Sequence, residues 1–340
     1  MIIHTQVLIN GHNKKKQPAQ SGNVLAKAWY EKTICGLDKE GEKRLFELKK
    51  QLRDPGTAYH VDRKLVRYLE QLKNTSMKVP SLFKHSINPR TLYRNLLKFC
   101  QIHDIPEEII APIIPVLINF ITCGHMRPVI FVGDKGCGKT TAVKLLVEEA
   151  LQLPTEVIKI PQTDGGHGMI RDSGSYMAAD VGYIAKARLR ANSLIVAYII
   201  DEIDKVCHER NRANVDDELL SITDESCVDI IDNYLETSLV GLEHCPMFFT
   251  ANDLQKVSPI LVDRCSVIRF PNANAERLKS ISRKYINKQL GNNLYSSIQF
   301  NYELMDKHID NLIKHNVTSI RKHQQMIELV LENALSKSLI

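Results

Sequence analysis

The octapeptide GDKGCGKT at Gly133–Thr140 constrains this chain more than any other feature. It follows an apolar run, PVIFVG at residues 128–133, and leads into a helical pattern, TAVKLLVEEALQL. GxxxxGK[ST] between a strand and a helix is a phosphate cradle. Gly133, Gly136 and Gly138 let the backbone turn tightly and aim N–H groups at phosphate oxygens that side chains would obstruct. The helix starting near Lys139 adds the positive end of its dipole. In such a loop Lys139 reaches the β- and γ-phosphates and the Thr140 hydroxyl binds Mg²⁺. Asp134, Lys135, Cys137 and Thr141 complete the expected loop shell. Cys137 fills an unconstrained position, the alternative being oxidation that blocks nucleotide. The helix is expected to turn Ala142, Leu145, Leu146 and Ala150 to one face.

Four more apolar runs follow at helix-separated intervals: EVIKI at 156–160, LIVAYII at 194–200, PMFFT at 246–250 and SVIRF at 266–270. Near-continuous apolar strands alternating with helices predict a parallel sheet covered on both faces, an α/β P-loop NTPase. LIVAYIIDEID places Asp201 and Glu202 at a strand end, beside the ligand crevice of such a sheet. Asp201 would hold Mg²⁺, generally through water, and Glu202 would polarise the attacking water. Asp204 reads as structural or helix-capping. Beyond Pro271 the pattern is helical only, in ERLKSISRKYINKQL, YELMDKHIDNLIK and SIRKHQQMIELVLENAL, and predicts a separate small helical domain.

The pairing of GDKGCGKT with IIDEID resembles the AAA+ class, and two later motifs agree. MFFTANDL puts Asn252 at a strand end, where the resemblance implies a polar sensor that positions water near the γ-phosphate. SPILVDRCSVIRF is similar to the segment carrying an arginine finger, which falls on Arg264; a local Asp263–Arg264 ion pair is the other reading. Within the class, residues 105–337 resemble the ATPase module of Lon-type proteases. The carriers are DDELLSITDESCVDIIDNYLETSL, AERLKSISRKYINKQL and NVTSIRKHQQMIE. The last implies a second sensor at Arg321, at the start of a helix folded over the nucleotide, unless Arg321 is an ordinary exposed helix arginine. IRDSGSYMAADVGYIAKAR is similar to the Lon pore loop, with Tyr176 and Met177 as the substrate-gripping pair; Tyr176 packed on a neighbouring helix is the alternative. GGHG at Gly165–Gly168 departs from the family pattern, as do the first hundred residues. The sequence ends at Ile340, where Lon-type proteins continue into a Ser–Lys peptidase, so an ATPase without its own peptidase is expected.

Charge divides the chain. Residues 1–100 hold 20 Lys and Arg against 8 Asp and Glu, whereas the remainder holds 25 against 31. The basic part is mainly helical by pattern and broken by DPG at Asp54–Gly56. It suggests an acidic or nucleic-acid partner, or a basic face lying on the acidic body. At 340 residues the chain suits several domains: a basic helical region at 1–104, an AAA+ α/β domain at 105–271 and a helical lid at 272–340. No run reaches the ~18 apolar residues of a membrane span, the nearest being 109–121 with Pro112 and Pro115. The N-terminus lacks the order of a secretory signal. The eight cysteines form no CxxC pair and are read as reduced and structural. A cytoplasmic ATPase using ATP and Mg²⁺ is expected, assembled as a ring, a hexamer by resemblance, and acting on a protein substrate or a separate effector chain. A nucleic-acid loader using the basic region is the competing expectation, and an ATP-bound switch that scarcely hydrolyses is a third.

Overall fold

A computed structural model describes residues 36–75, 89–159, 180–205, 213–224, 230–291, 295 and 298–338. Five strands form one parallel sheet: β1 Val129–Val132, β2 Thr155–Lys159, β3 Ala197–Asp201, β6 Met247–Ala251 and β7 Ser266–Arg269, in the order β2-β3-β6-β1-β7. All five coincide with the apolar runs. The register pairs Val132 with both Ala251 and Arg269, and Lys159 with Asp201. The carboxyl ends of the strands, from which the phosphate loop, Asp201–Glu202 and Asn252 emerge, therefore share one edge.

Alternation along each strand divides the core into two layers. Ile130, Tyr198, Ile200 and Phe249 face one side; Phe131, Ala197, Ile199 and Phe248 face the other. The first layer is covered by α6 (Tyr183–Ala191) and by two helices of the basic region, α1 (Lys39–Arg53) and α2 (Arg63–Asn74). These two contribute Leu45, Leu65 and Leu69 to the same core. The second layer is covered by α3 (Pro89–His103), α4 (Ile110–Cys123) and α5 (Lys139–Leu145).

The DPG break falls where expected, between α1 and α2. The chain leaves α1 at Asp54 and Asp62 caps α2, accepting the N–H groups of Lys64 and Leu65. Helix α4 keeps Pro115 inside it and ends on left-handed Gly124, whose N–H bonds the Phe120 carbonyl. Its 14 residues span about 21 Å, short of a bilayer core. No helix among the described residues is long and apolar enough to cross a membrane.

The face expected of helix α5 is found: Ala142 and Leu146 are buried in the second core layer and Leu145 and Ala150 pack half-buried against it, joined by the buried Val143 and Val147. A π turn at Leu146–Ala150 adds an i→i+5 bond from the Leu151 N–H to the Leu146 carbonyl. That wider turn carries Leu151 into the core beside Ala150.

The DNYLE stretch builds a short hairpin, β4 Ile231–Asp232 and β5 Thr237–Ser238, which sequence pattern did not reveal. Asp232 is fully buried and accepts the N–H groups of Gly182, Tyr234 and Leu235, tying the hairpin to the start of α6. Burial nevertheless dominates and pushes its pKa up. Helix α7 (Ala213–Ile222) precedes the hairpin and α8 (Pro259–Arg264) precedes β7. Three further helices, α9 (Ala275–Leu290), α10 (Tyr302–Lys314) and α11 (Ile320–Ser338), pack on one another through Leu278, Ile286, Ile309, Ile327 and Leu331.

Candidate nucleotide site

The phosphate loop turns from β1 into α5 at the carboxyl edge of the sheet. Two of its glycines are required by their surroundings. A Cβ on Gly133 would lie 2.5 Å from the Phe270 carbonyl oxygen. Gly136 has φ +83°, and a Cβ there would meet the Ser319 hydroxyl at 2.4 Å. The loop is thus wedged between the chain leaving β7 and the start of α11.

Lys139 is buried. Its ammonium donates to the Gly133 carbonyl (2.7 Å), the Asp134 carbonyl (2.9 Å) and Asn252 Oδ1 (3.2 Å). Asn252 in turn donates through Nδ2 to Asp204 Oδ2 at 3.3 Å. Asp204 is thus a buried structural carboxylate that turns the Asn252 amide so that its oxygen faces Lys139. Its second oxygen is buried without a hydrogen-bond partner among the described residues.

Across the cleft, the hydroxyls of Thr140 and Thr250 both donate to Asp201 Oδ1, each at 2.6 Å. The Thr250 hydroxyl also accepts the Glu202 N–H at 3.0 Å. Glu202 sits in the left-handed region at φ +60°, an unfavourable conformation for a residue with a Cβ. Its carboxylate pairs with Lys205. Strand alternation places Thr250 two residues before Asn252 on the same face; that spacing was the available signal for a residue the sequence reading missed.

One cleft is lined by Lys135, Gly136, Gly138, Lys139, Thr140 and Thr141 of the loop, by Asp201 and Glu202, by Thr250 and Asn252, and by Ile320, Arg321 and Gln324 of α11. Gly133, Asp134 and Cys137 belong to the loop without lining the cleft. Asp134 accepts from Asn272 at 2.6 Å. Cys137 is buried, its sulfur 3.8 Å from Lys139 Nζ.

Hard oxygen donors suit Mg²⁺, which takes one or two protein ligands and completes its shell with phosphate and water. The Thr140 hydroxyl and the Asp201 carboxylate are such a pair, beside an ammonium and loop N–H groups suited to polyphosphate. Among the described residues no group of three His, Cys, Asp or Glu side chains could cage a metal by itself.

The family profile described as "ATPase family associated with various cellular activities (AAA)" matches residues 129–272. Residues 129–272 carry an AAA-family domain. Beyond it, the chain is similar to Lon proteases. It is 25% identical to a Lon protease homolog of Acanthamoeba polyphaga mimivirus, covering 48% of this chain and 16% of that protein. It is 28% identical to the Lon protease of Mycoplasma mobile, over 61% of this chain and 25% of that protein. It is likewise 28% identical to the Lon protease homolog, mitochondrial 1, of Dictyostelium discoideum, over 50% and 18%. The matched stretch thus spans a quarter or less of these relatives' own length.

Of the remaining expected site residues, Arg264 does not line the cleft, whereas Arg321 does. Arg264, at the end of α8, bonds the Leu220 carbonyl and pairs with Asp224 at 3.0 Å. The adjacent Asp263 is therefore not its ion-pair partner, which corrects the local-pair reading. Arg321 is exposed but lines the cleft from the first turn of α11. Tyr176 and Met177, with Gly165–Gly168, lie outside the described residues.

Proposed function

We propose that this chain is an ATP-hydrolysing AAA+ protein that works as a ring oligomer, a hexamer by analogy with its class, to remodel or unfold protein substrates in the cytoplasm. The supporting observation is the convergence of Lys139, Thr140, Asp201, Glu202, Asn252 and Arg321 on one cleft. In this reading residues 105–271 form the ATPase body, 272–340 its lid and 1–104 the preceding basic region.

Phosphate oxygens of ATP exchange for the two loop carbonyls on the Lys139 ammonium, placing a fixed cation on the β- and γ-phosphates. Thr140 and Asp201 would hold Mg²⁺, whose bound charge would offset that developing on the phosphoryl group. Glu202 releases Lys205, orients water in line with the γ-phosphate and takes up its proton. Asn252, held by Asp204, fixes the water or the γ-phosphate through its amide. Arg321 covers the phosphates from the lid side. Arg264 does not line its own cleft and acts on a neighbour's nucleotide, an effect worth roughly 10³–10⁵ in rate for arginine fingers generally. Tyr176 and Met177 are the proposed grip on an extended polypeptide.

Ion pairing bears on the nucleic-acid alternative. Lys43, Lys49, Lys64 and Lys73 pair with Glu40, Glu70, Asp180 and Glu42, and Arg44 pairs with Glu236. Five basic side chains of this region are thereby paired with its own carboxylates or with the ATPase body. ATP turnover measured with added unfolded protein, and separately with single- and double-stranded DNA, tests the choice. Stimulation by unfolded protein is expected. Stimulation by DNA alone, falling steeply with salt, would replace remodelling with the loader function.

A further inference from the structure

Arg277 lies outside the cleft, and none of the roles above uses it. It sits in the first turn of α9, mostly buried, with its guanidinium 5.3 Å from the Phe270 ring centre. Its Nε donates to the Asp104 carbonyl at 2.6 Å and one terminal nitrogen donates to the Cys137 carbonyl at 3.3 Å. The other terminal nitrogen is buried without a hydrogen-bond partner among the described residues. The same helix face carries Ser280 and Lys284, which bind the Asp104 carboxylate at 2.7 and 2.5 Å. Asp104 itself is left-handed, at φ +52°.

Cys137 sits in the phosphate loop, and its peptide is trans and planar, so its carbonyl and the Gly138 N–H point in opposite directions. Gly138 lines the cleft, whereas Cys137 and Arg277 do not. Holding the Cys137 carbonyl outward therefore turns the Gly138 N–H inward, toward phosphate. A second loop carbonyl, that of Gly136, accepts the Ile320 N–H of α11 at 2.9 Å. The C-terminal helices thus grip two consecutive loop peptides by their oxygens.

We infer that Arg277 is a positioning residue. It presets the phosphate loop for polyphosphate by locking the Cys137–Gly138 peptide, and it couples loop geometry to the placement of the C-terminal helices. The inference rests on the nucleotide reading of the cleft. It differs from direct recognition, because the guanidinium contacts loop backbone and the Asp104 turn and needs no contact with ligand.

The test compares Arg277→Met, Arg277→Lys and Ser280→Ala in the full chain, measuring affinities for Mg-ATP, Mg-ADP and tripolyphosphate. Arg277→Met should weaken all three by about the same factor, roughly tenfold, the scale of one charge-assisted hydrogen bond. Arg277→Lys should fall between, since an ammonium lacks the fork that reaches both carbonyls. Ser280→Ala perturbs the same helix–turn contact without touching the loop and should bind all three as wild type does. Unchanged affinity in both Arg277 variants would overturn the inference. So would loss of ATP and ADP binding with tripolyphosphate spared, which would mean contact with the nucleoside. Equal loss in Ser280→Ala would assign the effect to general packing. Should Arg277→Met fail to fold, the Arg277→Lys and Ser280→Ala pair decides the outcome alone. Wild-type protein that retains no nucleotide would defeat the nucleotide reading itself, a result distinct from all of these.

Discussion

Glu202, the residue proposed to act on water, holds a backbone conformation that its side chain disfavours. Its left-handed φ lets the chain turn off β3 directly into the short helix at Ile203–Lys205, which delivers Asp204 to Asn252. That conformation costs about 1 kcal/mol for a residue with a Cβ. Glu202→Gly should therefore raise thermal stability by about that amount while turnover is lost, read by thermal unfolding beside an ATPase assay. Glu202→Gln keeps the shape and removes the base. It should retain Mg-ATP while hydrolysis slows by orders of magnitude, and normal turnover would show that another group orients the water. Lys139→Ala should instead weaken binding itself. Thr250 bonds both Asp201 and the Glu202 N–H. Thr250→Val leaves that N–H without its acceptor, so it should lose about 1–3 kcal/mol of stability together with turnover, measured by chemical denaturation.

At the level of elements, the helices of the basic region are fastened to the ATPase body through charge as well as packing. Asp180, just before α6, takes Lys64 from α2 and Lys186 from α6, each at 3.0 Å. Burial alone would raise its pKa. The hydrogen bonds from Lys64, Lys186 and the Val181 N–H outweigh burial and bring it down from 3.8 to about 2. Because the folded-state value lies below the ordinary one, the stabilisation is present above about pH 4 and is lost as pH falls through about 2. Asp180→Asn should cost about 1–2 kcal/mol at neutral pH and flatten the acid limb of the stability curve in that window. An acid limb unchanged from wild type would show that the α2–α6 contact depends on apolar burial alone.

For the whole molecule, the separation of Arg264 from its own cleft carries the assembly prediction. If Arg264 serves a neighbour, specific ATPase activity must rise with protein concentration. Arg264→Ala should bind ATP normally and hydrolyse it slowly. Mixing Arg264→Ala with Lys139→Ala should restore part of the activity, because mixed rings place an intact arginine beside an intact cleft. No recovery in mixed assemblies, together with activity independent of concentration, would count against a shared site.

The sequence alone determined the five strands, the phosphate loop and the order of the helical segments. Each rests on local periodicity or on a short motif whose geometry is set by neighbouring residues, as in PVIFVG followed by GDKGCGKT. Tertiary structure decided what depends on partners distant along the chain. Thr250 reaches Asp201, Asp204 holds Asn252, Arg264 pairs with Asp224, and Arg277 grips Cys137. It also placed α1 and α2 of the basic region in the core of the sheet. A threonine on a strand, or an arginine on an amphipathic helix, carries no local mark of what it will touch. Only packing the sheet against its helices brings those groups within hydrogen-bonding distance.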